Sequence, residues 1–484
     1  MKPLNMLFIM SDQHSRKVAG CYGNPLAKTP VIDRLAASGT LFLNAYSPSP
    51  ICVPARAGLA TGRQVHETRC WDNASPYLGR VPSWGHRLQK RGIRVESIGK
   101  LHYRNEGDDT GFDRQIIPLH VVKGIGDVMG SVKDPMPVRR KARSLVTKIG
   151  PGESAYTQYD LQIADHASEW LRTEGTRRTG SPWMLFVSFV APHPPWFVPQ
   201  PYFDRYEGVD LPMPKPLSAD PAQDHPWMEA RRASMLIDPF FTDDTRRVAI
   251  RSYYARTSFL DDNVGRVMDA LKSAGLADTT RVVYTSDHGE DLGARALWGK
   301  GTMTEESGGI PLVVSGPDIP RGKKLSAPAS LLDVFPSVLE CCGVAPDADD
   351  LDLPGKSLFR MAIEPDDPER PLLTQYHAAG AASGSFMLRR SNLKYLYYVG
   401  FRPQLYDVAR DPEELRDVST DPEYRDALTR LGRELHSLID PEAIDAQAKA
   451  DQRAIVERNG GREAVVNKGT FGYTPAPGET VEYQ

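Results

Sequence analysis

An α/β fold is predicted, with a large, mostly parallel sheet sandwiched by helices and a small C-terminal subdomain of antiparallel sheet plus helix. Three observations predict it. Short continuous apolar runs alternate with helical patterns, as buried parallel strands and their crossover helices do. Two of these runs, Asn5–Met10 and Arg281–Tyr284, stop on polar groups, Asp12-Gln13 and Asp287-His288. After about residue 370 the pattern changes to the alternation of antiparallel strands.

In chain order, Leu4–Met10 is the first strand. Thr29-Pro30 reads as N-cap and first position of a helix through Ala37, stopped at Gly39, with a strand over Leu41–Ala45. Pro82–Arg91 reads as a helix ended by Gly92, and Ile93–Ile98 as a strand leading into Gly99-Lys100-Leu101-His102. Tyr156–Arg172 is helical, and Trp183–Val190 is an unbroken apolar strand before Ala191-Pro192-His193. Leu260, Val264, Val267, Met268 and Leu271 recur at helical spacing, which marks core rather than site. Phe386–Arg390 and Leu393–Val399 alternate as strands, and Tyr424–Leu438 supplies a helix. This gives three units: 1–375, 376–440 and a tail, 441–484, with a charged helix over Ala443–Arg458. The aromatic residues of Thr470–Pro475 predict docking, on the chain's own body or on a neighbouring subunit.

At 484 residues the chain is long enough for two to three domains, or for one large sheet with an appendage. With 59 basic and 62 acidic residues, nothing in the charge favours nucleic acid or an anionic membrane. Leu4–Met10 is too short for a signal peptide's apolar core plus cleavage site, and no run reaches transmembrane length, so the cytoplasm is the expected compartment. Five cysteines, Cys21, Cys52, Cys70, Cys341 and Cys342, show neither a disulfide framework nor a metal-knuckle spacing. Free thiols are expected.

Sites in open α/β sheets lie beyond the carboxyl ends of the strands. Two strands delivering Asp12-Gln13 and Asp287-His288 to one edge would form a cation site that neither forms alone, since a divalent ion needs several hard donors together. Between them stands Cys52-Val53-Pro54-Ala55-Arg56, followed by Gly58-Leu59-Ala60-Thr61-Gly62-Arg63. By itself, that stretch reads equally as a buried cysteine before a helix with Pro54 in its first turn.

Together, these elements resemble the formylglycine-dependent sulfatases of the alkaline phosphatase superfamily over roughly residues 4 to 420. There a maturation enzyme oxidises the cysteine of C-x-P-x-R to an aldehyde, whose hydrate is the nucleophile. The resemblance implies that Asp12, Gln13, Asp287 and His288 hold one divalent metal with matured Cys52 as a further ligand. It implies that Arg56 steadies the ionised diol, that Lys100 and Lys300 bind sulfuryl oxygens, and that His102 drives elimination of sulfate. His193, in Ala-Pro-His-Pro, resembles the histidine beside the leaving oxygen, and Asn73, in Trp-Asp-Asn, is read as an added donor. Gln13 and His288 depart from the Asp-Asp and Asp-Asn of many arylsulfatases and look closer to choline sulfatases and phosphonate monoester hydrolases. That softer donor set lets Mn2+ compete with Ca2+. Gln375 and His377, around Tyr376, are the expected substrate-binding pair, although choline-sulfatase-like chains tend to be acidic where Gln375 stands, which weighs against choline.

The expected reaction is hydrolysis of a small sulfate monoester. The alternatives are phosphonate monoester or phosphodiester hydrolysis at the same site, or a silent metal-binding protein if Cys52 is never matured. The expected partners are the ester, the formylglycine-generating enzyme and further copies of the chain in a dimer or tetramer. The loops Val121–Gly150 and Tyr202–Thr242 are expected to set specificity.

Overall fold

The strand Asn5–Asp12 (β1) lies at the centre of the molecule, and its alternating side chains divide two apolar layers. Met6, Phe8 and Met10 pack with Leu59, Trp84, Phe335 and Val338, while Leu7 and Ile9 pack with Ile163, Phe259 and Leu260. Such two-sided burial is why the run reads as continuously apolar. The computed structural model describes residues 2–177, 180–218, 223–481 and 483, with the backbone alone for 140–143.

Seven further strands complete the large sheet: β2 (Gly39–Phe42), β3 (Arg94–Lys100), β4 (Arg114–Leu119), β5 (Trp183–Pro192), β6 (Thr280–Ser286), β7 (Leu312–Ser315) and β8 (Lys323–Leu325). Their order is β8-β2-β7-β6-β1-β5-β3-β4. From β6 to β4 all neighbours are parallel, and β7 alone runs against both its neighbours. The carboxyl ends of β6, β1, β5 and β3 therefore open on one edge.

Helices α1 (Pro30–Ala37), α2 (Cys52–Thr61), α3 (Trp84–Gln89), α4 (Ala155–Arg172), α5 (Asp243–Ser273) and α6 (Val334–Cys342) surround this sheet. α4 and α5 cover the face of Leu7; α2, α3 and α6 cover the face of Met6. The small sheet follows in chain order, β9 (Leu372–Tyr376), β10 (Ser385–Arg390), β11 (Leu393–Tyr398) and β12 (Gln404–Asp407), antiparallel throughout. α7 (Arg425–Leu438) buries Leu431 and Leu435 against Phe386 and Leu388. α8 (Pro441–Arg458) and α9 (Gly461–Lys468) carry the chain back to the main body. Among the described residues no helix is long and apolar enough to cross a membrane. All five cysteines are free.

Some local expectations are corrected. Thr29 and Pro30 take the expected N-cap and first positions of α1, but the Thr29 hydroxyl makes no capping bond; it accepts from Gly20 N (2.9 Å) and donates to Asp33 (3.1 Å). The strand expected over Leu41–Ala45 breaks at Leu43-Asn44, leaving β2 and a two-residue strand, Ala45–Tyr46. The helix expected from Pro82 begins at Trp84, because Ser83 in extended conformation accepts from His86 N and caps it.

Candidate active site

Four strand ends and one helix start converge on Cys52. β1 ends in Asp12 and Gln13, the latter held at φ 70°; β6 runs into Asp287 and His288; β3 ends in Lys100; and β5 leads to His193. Gly99, at φ 96°, lets β3 approach β5 just before Lys100, where a Cβ would stand 2.3 Å from the Ser188 carbonyl oxygen. Cys52 opens α2 and is 1% exposed.

Ligating atoms of Asp12, Cys52, Asp287 and His288 all lie within 4.8 Å of one another. That spacing fits donors around one ion with bonds of about 2.4 Å, which stand at most about 4.8 Å apart. The His288 ring supports the same assignment. Its Nδ1 lies 2.9 Å from the Gly289 carbonyl, so Nδ1 carries the proton. Nε2 keeps a lone pair and stands 3.2 Å from Cys52 Sγ, 3.7 Å from Asp12 and 3.6 Å from Asp287. Gln13 donates its backbone N–H to Asp287 (3.1 Å) and its side-chain amide to Glu290, leaving Oε1 turned toward Lys300 Nζ at 2.9 Å. The clustered donors, two carboxylates, a sulfur and an imidazole nitrogen, suit a divalent ion of intermediate hardness, with the Gln13 amide oxygen nearby on Lys300.

Arg56 lies one turn along α2 from Cys52 and is 1% exposed. Its guanidinium donates to Asp287 (2.9 Å), Asp12 (3.3 Å), the Lys100 carbonyl (2.7 Å) and Ser188 Oγ (3.0 Å), tying together four elements. Lys100 Nζ pairs with Asp12 at 2.5 Å. Burial pushes the Asp12 carboxyl up, yet Lys100, His193, Lys300 and Arg56 together hold it well below the usual carboxylate range. Lys300 donates to Cys52 Sγ at 3.0 Å; burial opposes its charge, but Cys52, Asp12 and Asp287 raise its pKa. Burial, with Asp12 next, raises the Cys52 thiol. As an unmodified cysteine it is therefore a poor nucleophile.

Burial first, then neighbouring lysines, pushes both His102 and His193 well below the ordinary imidazole range. His193 Nδ1 donates to the Pro194 carbonyl (2.6 Å), which leaves Nε2 as the atom free to exchange a proton. His102 Nε2 meets Thr474 Oγ1 at 2.9 Å, and its Nδ1 is buried without a partner. Asn73 Oδ1 accepts from Val53 N (3.2 Å), so Asn73 caps α2 from outside the helix while lining the cleft. Behind His193, Asp160 accepts from Val190 N (2.8 Å) and Ala191 N (3.1 Å) and fixes the end of β5.

Cys52, Gln13, Asn73, Lys100, His102, His193 and Lys300 line one cleft of about 190 Å³. Gln375 and His377 do not. Gln375 hydrogen-bonds His66 (2.7 Å), and His377 packs edge-on against Trp71 and Phe386, with burial pushing its pKa down to about 3. The reason is strand geometry: alternate side chains face opposite sides, so it is Tyr376 between them that reaches the cleft. Both expected loops contribute, through Arg139 and Lys148 and through Arg231 and Met235; positions 219–222 and the side chains of 140–143 lie outside the described residues. Arg231, Arg139 and Lys148 carry no motif in the sequence. The tail docks on its own body: Thr470–Thr474 form one wall, with Tyr473 edge-on to Tyr156 at 5.2 Å and Tyr156 OH donating to the Thr474 carbonyl (2.6 Å).

Comparison with known proteins agrees with this geometry. The family model described as Sulfatase matches residues 4–344, and one described as N-sulphoglucosamine sulphohydrolase, C-terminal, matches 293–440. The chain is 29% identical over 458 residues to the choline-sulfatase of Rhizobium meliloti (strain 1021), covering 93% of this chain and 89% of that protein. It is 28% identical over 458 residues to arylsulfatase K of Danio rerio, covering 90% of this chain and 84% of that protein. The crystal structure of the phosphonate monoester hydrolase of Agrobacterium radiobacter superposes with a TM-score of 0.72 at 23% identity, over 92% of this chain and 96% of that one, a likeness of fold. With the Sulfatase model spanning well over half of its 484 residues and the cysteine, carboxylates and histidine gathered at one sheet edge, the chain belongs to the sulfatase family.

Proposed function

We propose that this chain hydrolyses a small sulfate monoester, using Cys52 matured to formylglycine and one divalent ion held by Asp12, Gln13, Asp287 and His288. The observation that carries the reading is the placement of Cys52 Sγ, 3.0 Å from Lys300 Nζ and 3.2 Å from His288 Nε2, within the cluster it forms with Asp12, Asp287 and His288. An oxygen nucleophile replacing that sulfur would face both the ion site and the cationic wall. The ion, when bound, would polarise the sulfuryl oxygens and hold the nucleophile ionised.

The remaining work falls to side chains. Arg56 keeps Asp12 and Asp287 in register and places positive charge behind the nucleophile. Lys100 and Lys300 stand where the anionic sulfuryl group must sit. His193 Nε2 is the atom to hand a proton to the leaving oxygen, and His102 is the base that removes a proton from the nucleophilic group when sulfate departs. Because burial keeps both imidazoles neutral in the free protein, the arriving anionic ester is what favours protonation of His193.

The same machinery suits a phosphonate monoester, since the nonbridging oxygens and the leaving oxygen are arranged alike. The deciding experiment matures the protein, confirms a mass fall of about 18 Da at Cys52, and compares kcat/KM for matched aryl sulfate and aryl phosphonate. A higher value for the sulfate is expected. A higher value for the phosphonate would replace this reading with the second one, and turnover without maturation would remove Cys52 from the mechanism.

A further inference from the structure

The cleft carries three cations that the hydrolysis does not use. Arg231 is 1% exposed; it donates to the Ala379 carbonyl (2.9 Å), to Tyr376 OH (3.3 Å) and to the Lys300 carbonyl, while its Nε is buried with no acceptor. Arg139 pairs with Asp127 and donates to Thr470 Oγ1 (2.9 Å), but its Nη1 is likewise buried without an acceptor. Lys148 lies over the Tyr473 ring, 4.9 Å from its centre. Among the described residues no carboxylate is ion-paired with Arg231 or Lys148, and Asp127 is the one carboxylate on the cleft wall.

Buried guanidinium donors left without acceptors are costly, and the single positions that Arg231 (Nε) and Arg139 (Nη1) leave unpaired, with the Lys148 ammonium, suit an oxyanion through charge-assisted hydrogen bonds. A quaternary ammonium would need open aromatic faces. Here the Tyr376 ring already faces Arg231 at 5.1 Å, and the Tyr473 ring already faces Lys148. The reach is also suitable. Thr474 sits on His102 and Thr470 on Arg139, and the four residue steps between them span at most about 14 Å, the length of a small molecule.

We propose that the leaving group of the ester carries an oxyanion of its own, a carboxylate or a second sulfate, received by Arg231, Arg139 and Lys148. The assignment rests on the sulfate-ester reading for the group cleaved, and names the chemistry of the group released.

Two measurements separate the two readings. Calorimetry on the Cys52→Ala protein, which cannot turn over, compares phenyl sulfate with its 3-carboxy and 3-trimethylammonio derivatives. The carboxylate should bind at least about tenfold more tightly than either of the others, as a charge-assisted pair adds about 1.4 kcal/mol or more. Replacing both outer cations, Arg139→Gln with Lys148→Met, should erase most of that preference, read as the ratio of affinities. Equal affinities, a preference for the ammonium, or a ratio unmoved by the double substitution would each overturn the proposal. Turnover of phenyl sulfate by the matured protein is the second measurement. Turnover without carboxylate preference sinks this inference alone, and carboxylate preference without turnover sinks the sulfate-ester reading alone.

Discussion

Replacing Arg56 by methionine should cost stability in an ion-dependent way. Arg56 donates to two buried carboxylates, Asp287 at 2.9 Å and Asp12 at 3.3 Å, as well as to the Lys100 carbonyl and Ser188 Oγ. Hydrogen bonds to charged groups contribute about 1.5–3 kcal/mol each, so losing the two carboxylate bonds amounts to about 3–6 kcal/mol. Breaking a buried pair by removing one partner gives about 3–5 kcal/mol, the same range by another route. Asp12 keeps Lys100 after the substitution, whereas among the described residues Asp287 keeps hydrogen bonds only from the backbone N–H groups of Gln13 and His288. Equilibrium urea unfolding with a chelator present should therefore show Arg56→Met less stable than wild type by about 4 kcal/mol. Calcium should narrow the gap, because losing the guanidinium leaves the two carboxylates to bind the ion more tightly in the variant than in wild type; each tenfold gain in affinity narrows it by about 1.4 kcal/mol at saturating calcium. A loss under about 1 kcal/mol in chelator would refute the claim that Arg56 balances the two carboxylates.

Cys52→Ala should remove turnover by about three orders of magnitude or more while calcium binding persists, since Asp12, Asp287 and His288 of the cluster remain; steady-state rates and metal analysis on one preparation check it. Cys52→Ser should give a burst and then stall, because a serine ester has no second hydroxyl to expel sulfate. His193→Ala should cost about a hundredfold on an alkyl sulfate and much less on a nitrophenyl sulfate, whose leaving group needs no proton; equal losses would make His193 a positioning residue. Acid sensitivity should trace in part to His377, whose buried ring has its pKa pushed down from 6.5 to about 3. With the folded value depressed, the unfolded chain takes the proton first, so its stability contribution is intact above pH 6.5 and is lost as pH falls toward 3. By pH 5 the loss is about 2 kcal/mol, which His377→Phe should abolish; an unchanged fall in stability between pH 7 and pH 5 would count against it.

Much of the site was legible because its parts are local. Asp12-Gln13 and Asp287-His288 each end an apolar strand, Cys52 and Arg56 share one helical turn, and Lys100 and His193 follow strands of the same sheet. Parallel strands must bring those carboxyl ends to one edge, so adjacency in space follows from strand type without knowledge of contacts. The alternation that marks the small C-terminal sheet is local in the same sense.

What the sequence by itself determined, then, is the sheet, the helical turn that holds Cys52 and Arg56, and the sheet edge on which Asp12, Gln13, Asp287 and His288 gather, because periodicity and strand ends are short-range properties of the chain. Only the tertiary structure decided which side of β9 faces the cleft, so that Tyr376 lines it and Gln375 and His377 do not. It likewise decided that Arg139, Lys148 and Arg231 meet in one cleft and that Thr470–Thr474 return to close a wall beside His102. Those placements join residues tens to hundreds of positions apart through packing, and a lone arginine or a glycine- and tyrosine-containing tail looks the same in sequence whether it faces water or substrate.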